Sequence, residues 1–126
     1  MEKISVSDLS ISDWVEIDGR PKLISSVLET PMGGMVRCQK QSITAFVEHI
    51  FPIPLTPEIL EKNGFSHNGN KWYTPELFTL ERWSEGWSIV IACSCGDYVC
   101  EVCTIKYVHQ LQHALRLAGV DKEINL

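Results

Sequence analysis

From Asp13 to about Val47, apolar and polar residues follow one another in short runs broken by turn residues. The runs are Trp14-Val-Glu-Ile17, Lys22 to Leu28, Met35 to Cys38 and Ile43 to Val47, with Asp18-Gly19 and Thr30-Pro-Met-Gly-Gly34 between them. This spacing predicts a β-meander. Val15 and Ile17 fall on one face while Glu16 and Asp18 take the other, as a half-buried strand requires. Strands this short cannot stand alone, and about four of them most simply curl into a small SH3-like half-barrel, with an open twisted sheet as the alternative.

The pattern then changes. Phe51-Pro-Ile-Pro-Leu-Thr56 is held extended by its prolines, which disfavour helix at the residues before them. A short helix is predicted directly afterwards: Thr56 is a good N-cap, Pro57 fits the first helical position, and Glu58 complements the positive end of the dipole. Asn63-Gly64 ends it, with Phe65 as the capping hydrophobe. Ser66 to Asn70 reads as a loop. Lys71-Trp-Tyr73, Leu77 to Trp83 and Trp87 to Ser94 read as strands of a second antiparallel sheet, with Glu85-Gly86 as a hairpin turn. The last element is a helix from about Ile105 to Ala118, ending at Gly119. Tyr107, Val108, Leu111, Ala114, Leu115 and Ala118 form its apolar stripe, and Lys106, His109, Gln110, Gln112, His113 and Arg116 its polar face. The closing stretch, Asp121 to Leu126, reads as a short strand or a frayed tail.

At 126 residues, with 44% hydrophobic and 21% charged, the chain has the size and composition of one α+β domain spanning 1–126. Its sub-parts are a β-meander over 1–50, a Pro-rich linker with a short helix over 51–65, and a sheet with a C-terminal helix over 66–126. A net charge of −5, with no basic stripe, disfavours nucleic acid as a partner. Met1 to Asp8 lacks the apolar core of a signal peptide and no apolar run reaches the ~18 residues of a spanning helix, so a cytoplasmic protein is expected, with no membrane partner. The odd cysteine count of five makes a poor disulfide framework, and reduced thiols are expected.

Four of those cysteines, Cys93, Cys95, Cys100 and Cys103, carry the composition of a zinc site. Their spacing, C-x-C-x4-C-x2-C, differs from the paired C-x2-C knuckles of structural zinc. If Gly96-Asp97 is a two-residue hairpin turn, Cys95 pairs with Tyr98, Cys93 with Cys100 and Val90 with Cys103. Cys103 then points away from the others, and a core-facing strand pair of small hydrophobic thiols is the reading preferred over zinc or a Cys93–Cys100 disulfide. His109 and His113 have the spacing that brings two imidazoles to one metal, but they fall mid-way along the polar face, so solvated side chains are expected. A mixed site of these histidines with Cys103 stays open.

Of four tryptophans, Trp83 and Trp87 flank a turn, and with Trp72 they make the candidate binding surface, set against the plainer reading of aromatic core. Gly33-Gly34 lies in a hairpin-like context and reads as a turn, not a phosphate cradle. No nucleophile has a local motif pairing it with a base, and a non-enzymatic protein is expected.

Two segments carry a resemblance: Pro52-Ile-Pro-Leu-Thr-Pro-Glu-Ile-Leu60 with Asn63-Gly-Phe65, and Ile105-Lys-Tyr-Val-His-Gln-Leu-Gln112 leading to Ala118-Gly119. Together they resemble small uncharacterised proteins of phages, prophages and mobile elements of Bacteroidetes. The resemblance covers about half the chain and implies an accessory product acting in a bacterial cytoplasm by binding, including by blocking host defence systems. In those relatives the hairpin before the last helix usually lacks cysteines, which implies that the cluster here is a local departure. The expected function is therefore capture of a protein partner, with no cofactor and with a homodimer left open. The alternatives are a zinc-stabilised nucleic-acid-binding module built on Cys93, Cys95, Cys100 and Cys103, and a small-ligand-binding or sequestering protein.

Overall fold

A computed structural model describes the backbone of residue 4 and of residues 8–38, 44–75, 78–93 and 96–126, and the side chains of the same residues except 44, 47 and 91–103. The described residues form an α+β structure with two antiparallel sheets and two α-helices. The chain divides into two compact units, Met1–Ile53 and Pro54–Leu126, and the division falls within the proline segment.

The first unit holds β1 (Trp14–Ile17), β2 (Arg20–Thr30), β3 (Gly33–Cys38), β4 (Thr44–Phe46), a 3-10 turn (Val47–His49) and β5 (Ile50–Phe51). They form an antiparallel sheet in the order β4-β3-β2-β1-β5. Asp18 and Gly19 make the β1–β2 turn with φ of 53° and 74°, the left-handed pair that matches the twist of a two-residue hairpin. At the next hairpin Thr30 faces Gly33, so the turn is Pro31-Met32 and both glycines belong to β3. The Thr30 hydroxyl donates to the Gly33 carbonyl (2.7 Å) and accepts from the Met32 N–H (3.2 Å).

Strand β2 serves two neighbours. It pairs with β1 up to Leu23 and with β3 from Ile24 onward, through a register shift between Ile24 and Ser26. The extra residue at that bulge, Ser25, donates its hydroxyl to the Arg37 carbonyl at 3.0 Å. Ile4, Leu9, Val15, Ile17, Ile24, Val36, Cys38, Ala45 and Ile50 form the core, in which Val15 and Ile17 bury the face their alternation assigns them. Cys38 is among these residues, and burial pushes its thiol up despite the opposing charge of Lys22.

The second unit opens on α1 (Pro57–Lys62), whose start and end follow the local code. The Ile59 N–H donates to Thr56 Oγ1 at 3.3 Å, and Pro57 occupies the first turn. At the other end the Gly64 N–H reaches the Glu61 carbonyl and the Phe65 N–H the Leu60 carbonyl, a Schellman pair over a glycine at φ 82°. Five strands follow: β6 (Ser66–Asn68), β7 (Lys71–Tyr73), β8 (Thr79–Trp83), β9 (Gly86–Cys93) and β10 (Gly96–Ile105), in the order β10-β9-β8-β7-β6. The expected loop at 66–70 is in fact β6 and a two-residue turn at Gly69-Asn70, because Asn68 pairs with Lys71 and Gly69 takes a φ of 61°. The β8–β9 hairpin turns at Ser84-Glu85, one residue earlier than expected, since Trp83 faces Gly86.

Helix α2 (Val108–Leu117) begins later than its sequence pattern suggests, because Ile105 still belongs to β10. Gln110 Oε1 accepts the Lys106 and Tyr107 N–H groups at 2.8 and 3.1 Å and fixes that start. A second Schellman pair, Gly119 to Arg116 and Val120 to Leu115, ends the helix. Among the described residues no helix is long and apolar enough to cross a membrane.

Candidate functional site

Alternation along β7 and β8 sorts the aromatic side chains of the second sheet. Trp72 lies opposite Leu80, and Arg82 opposite Trp87, so these positions share one face with His67 and Ile105. Trp72, Leu80, Trp87 and Ile105 are buried there. The two indoles meet edge to face, with centroids 5.9 Å apart and an interplanar angle of 83°. His67 stacks on Trp72 at 4.4 Å, and the Arg82 guanidinium lies over the Trp87 ring, 5.5 Å from its centroid, so an exposed polar group lies against the ring of each buried tryptophan.

The opposite face carries Lys71, Tyr73, Thr79, Glu81 and Trp83. Tyr73 is 39% exposed and Trp83 is 52% exposed. Lys71 lies directly across from Glu81, so a pair of opposite charges sits between the two aromatic positions. Across from Trp83 stands Gly86, which offers no side chain to cover the indole. Gly86 is required on other grounds too: its φ is 148°, and a Cβ added to it would lie 2.8 Å from the Ile105 carbonyl oxygen. Further along the same face Ser88 and Val90 are buried, so the exposed region is the β7–β8 half of the sheet.

Of the three tryptophans expected to form a binding surface, then, Trp83 alone presents its ring, while Trp72 at 5% and Trp87 at 3% exposure belong to the core. Tyr73 was missed in the sequence reading, although the signal is there: once Trp72 points inward, alternation turns Tyr73 outward.

The cysteine hairpin pairs differently from the expected register. Cys93 faces Gly96, Val90 faces Val99 and Cys100 faces Ile89, with a register shift between Cys100 and Thr104. Gly96 and Asp97 therefore belong to β10, paired with Cys93 and Ala92, and do not form the expected turn. About 13 Å of strand separates Ile89 from Cys93 at ~3.3 Å per residue. Cys93 and Cys100 are thus not opposite one another, and in this register their backbones are too far apart for the cross-strand disulfide, which needs Cα atoms within about 7 Å. Cys95, and the side chains of Cys93, Cys100 and Cys103, lie outside the described residues, as does any mixed site of Cys103 with the histidines. Among the described residues no three His, Cys, Asp or Glu side chains form a group able to hold a metal.

His109 departs from the polar face assigned to it. It is buried, as is Gln112, because the covered face of α2 is wider than its apolar stripe and takes in Val108, His109, Leu111, Gln112 and Leu115. Its ring lies 6.1 Å from that of Tyr107 at an interplanar angle of 9°, and 5.8 Å from that of the half-buried His113 at 80°.

No family model, no curated protein and no solved structure matches the chain.

Proposed function

We propose that this protein is a non-enzymatic binding module that captures a protein partner on the β7–β8 face of its second sheet. The observation that carries the reading is the indole of Trp83, 52% exposed and facing a glycine across the strand pair. Exposing a large aromatic ring to water is unfavourable, whereas burying it in a partner's pocket recovers the transfer energy at little entropic cost, which is why Trp and Tyr dominate binding hot spots. Tyr73 on the same face supplies a second anchor, and Lys71 and Glu81 between them supply a charge pattern that can select among partners.

The resemblance to phage and mobile-element proteins supports a bacterial host protein as the partner, including a component of a defence system, met in the cytoplasm. We further infer that the first unit is SH3-like. Supporting this are the strand order β4-β3-β2-β1-β5, the long β2 shared between two neighbours, and the 3-10 turn immediately before β5.

The test is affinity capture from bacterial extract with wild type, Trp83→Ala and Tyr73→Ala, each checked for native circular dichroism. The reading expects a discrete partner retained by wild type, with its affinity reduced at least about thirtyfold by Trp83→Ala, the scale of a hot-spot residue. Equal retention by folded Trp83→Ala would overturn it.

A further inference from the structure

In the second unit, residues 120–126 have no regular secondary structure, yet they are fastened. Ile124 is buried, and Asn125 is held at both of its backbone polar groups by one side chain. Asn63 Oδ1 accepts the Asn125 N–H at 2.7 Å, and Asn63 Nδ2 donates to the Asn125 carbonyl at 2.8 Å. The same Nδ2 also donates to the Ile59 carbonyl at 2.8 Å, adding a second bond to an oxygen that already accepts the Asn63 backbone N–H at 3.1 Å, so this buried amide ties the end of α1 to both polar groups of Asn125.

Asn63 precedes Gly64, and an asparagine followed by glycine is the dipeptide most prone to deamidation, because no side chain hinders attack by the next backbone nitrogen. We propose that Asn63 is a gated modification site: docking of residues 120–126 suppresses its deamidation, and deamidation in turn releases the docked segment.

In that reaction the Gly64 amide nitrogen gives up its proton to hydroxide and attacks Asn63 Cγ. A Cγ–N bond forms, and the Cγ–Nδ2 bond breaks as Nδ2 takes a proton from water, which regenerates the hydroxide, and leaves as ammonia, giving a succinimide. Water then opens the ring at either carbonyl, yielding aspartate or isoaspartate, so the net change is one water in and one ammonia out.

Two features of the native state oppose the first step. Ring closure requires Asn63 Cβ and the Gly64 nitrogen to eclipse about the Cα–C bond, whereas the observed ψ of 18° holds them apart. The Gly64 N–H is also engaged with the Glu61 carbonyl at 3.1 Å, and the leaving nitrogen is tied to two carbonyls. Reaction therefore has to wait for the segment to detach and the helix end to open.

Once formed, neither product can remake the clasp. Aspartate sets a carboxylate oxygen against the Ile59 and Asn125 carbonyls where an N–H₂ had donated to both, and isoaspartate lengthens the backbone at the helix cap. A second Asn-Gly pair, Asn68-Gly69, supplies an internal reference, because Asn68 is exposed in the β6–β7 hairpin.

Peptide mapping by mass spectrometry of protein held at mildly alkaline pH reads both sites at once. Asn63 is expected to react at least about tenfold more slowly than Asn68 in the intact chain, and to accelerate by a similar factor in Ile124→Ala, which loosens the segment. Should Ile124→Ala not fold, amide exchange at Asn125 in Asn63→Asp is the independent arm. It is expected to speed up about tenfold or more over wild type, while Asn68→Asp leaves it unchanged. Equal rates at Asn63 and Asn68 in native protein, no acceleration in folded Ile124→Ala, or unchanged exchange at Asn125 in Asn63→Asp would each overturn the proposal.

Discussion

Trp83 and Trp87 flank a single hairpin turn, and their surroundings give them opposite work. Trp87 fills the space beside Trp72 under the Arg82 guanidinium, so Trp87→Ala is expected to cost about 3–5 kcal/mol in urea denaturation. Trp83 faces a glycine and water, and Trp83→Ala should shift stability by less than about 1 kcal/mol while removing the proposed anchor. A large loss of stability in Trp83→Ala would mean that the ring is a packing element. Residue type alone cannot separate the two tryptophans, because both are apolar and both border the turn; only the strand register tells them apart. His109 teaches the same point. On a helical wheel it lies among polar residues, yet α2 buries a face wide enough to include it, so the extent of a buried face is set by what packs on the helix and not by where its apolar stripe ends.

Elements whose boundaries rest on short-range chemistry were legible in advance. Thr56, Pro57, Asn63 and Gly64 fix both ends of α1 through bonds to residues a few positions away, and the Val15/Ile17 alternation reads correctly because one neighbouring layer decides it. The β9–β10 hairpin was not legible, since its composition favours a turn at Gly96-Asp97 while the observed pairing needs a register shift between Cys100 and Thr104 that no local residue marks. Beyond that shift Thr104 and Ile105 pair with Ser88 and Trp87, which brings the end of β10 against Gly86. Gly86→Ala therefore meets both a backbone region nearly closed to other residues and the Ile105 carbonyl oxygen, and should cost about 2–3 kcal/mol. Gly69→Ala, at φ 61° with open space around it, should cost only about 1 kcal/mol on the same denaturation assay. Equal costs would contradict the close approach at Gly86.

At the scale of the whole molecule, the net charge of −5 opposes any polyanion, so duplex DNA should show no mobility shift with this protein even at about 0.05 M salt. Salt-sensitive binding to DNA would instead favour a nucleic-acid-binding module. Two compact units are joined through a proline segment, and the exposed aromatic pair belongs to the second. The central claim is that this face meets a partner, and it is most directly tested by photocrosslinking inside bacterial cells, with Trp83 replaced by p-benzoylphenylalanine. The same probe replaces Met32, the exposed residue at the β2–β3 turn of the first unit, as the control. The account predicts a discrete protein adduct from position 83 that is absent from position 32. No adduct at 83, or the same adducts from both positions, would contradict it.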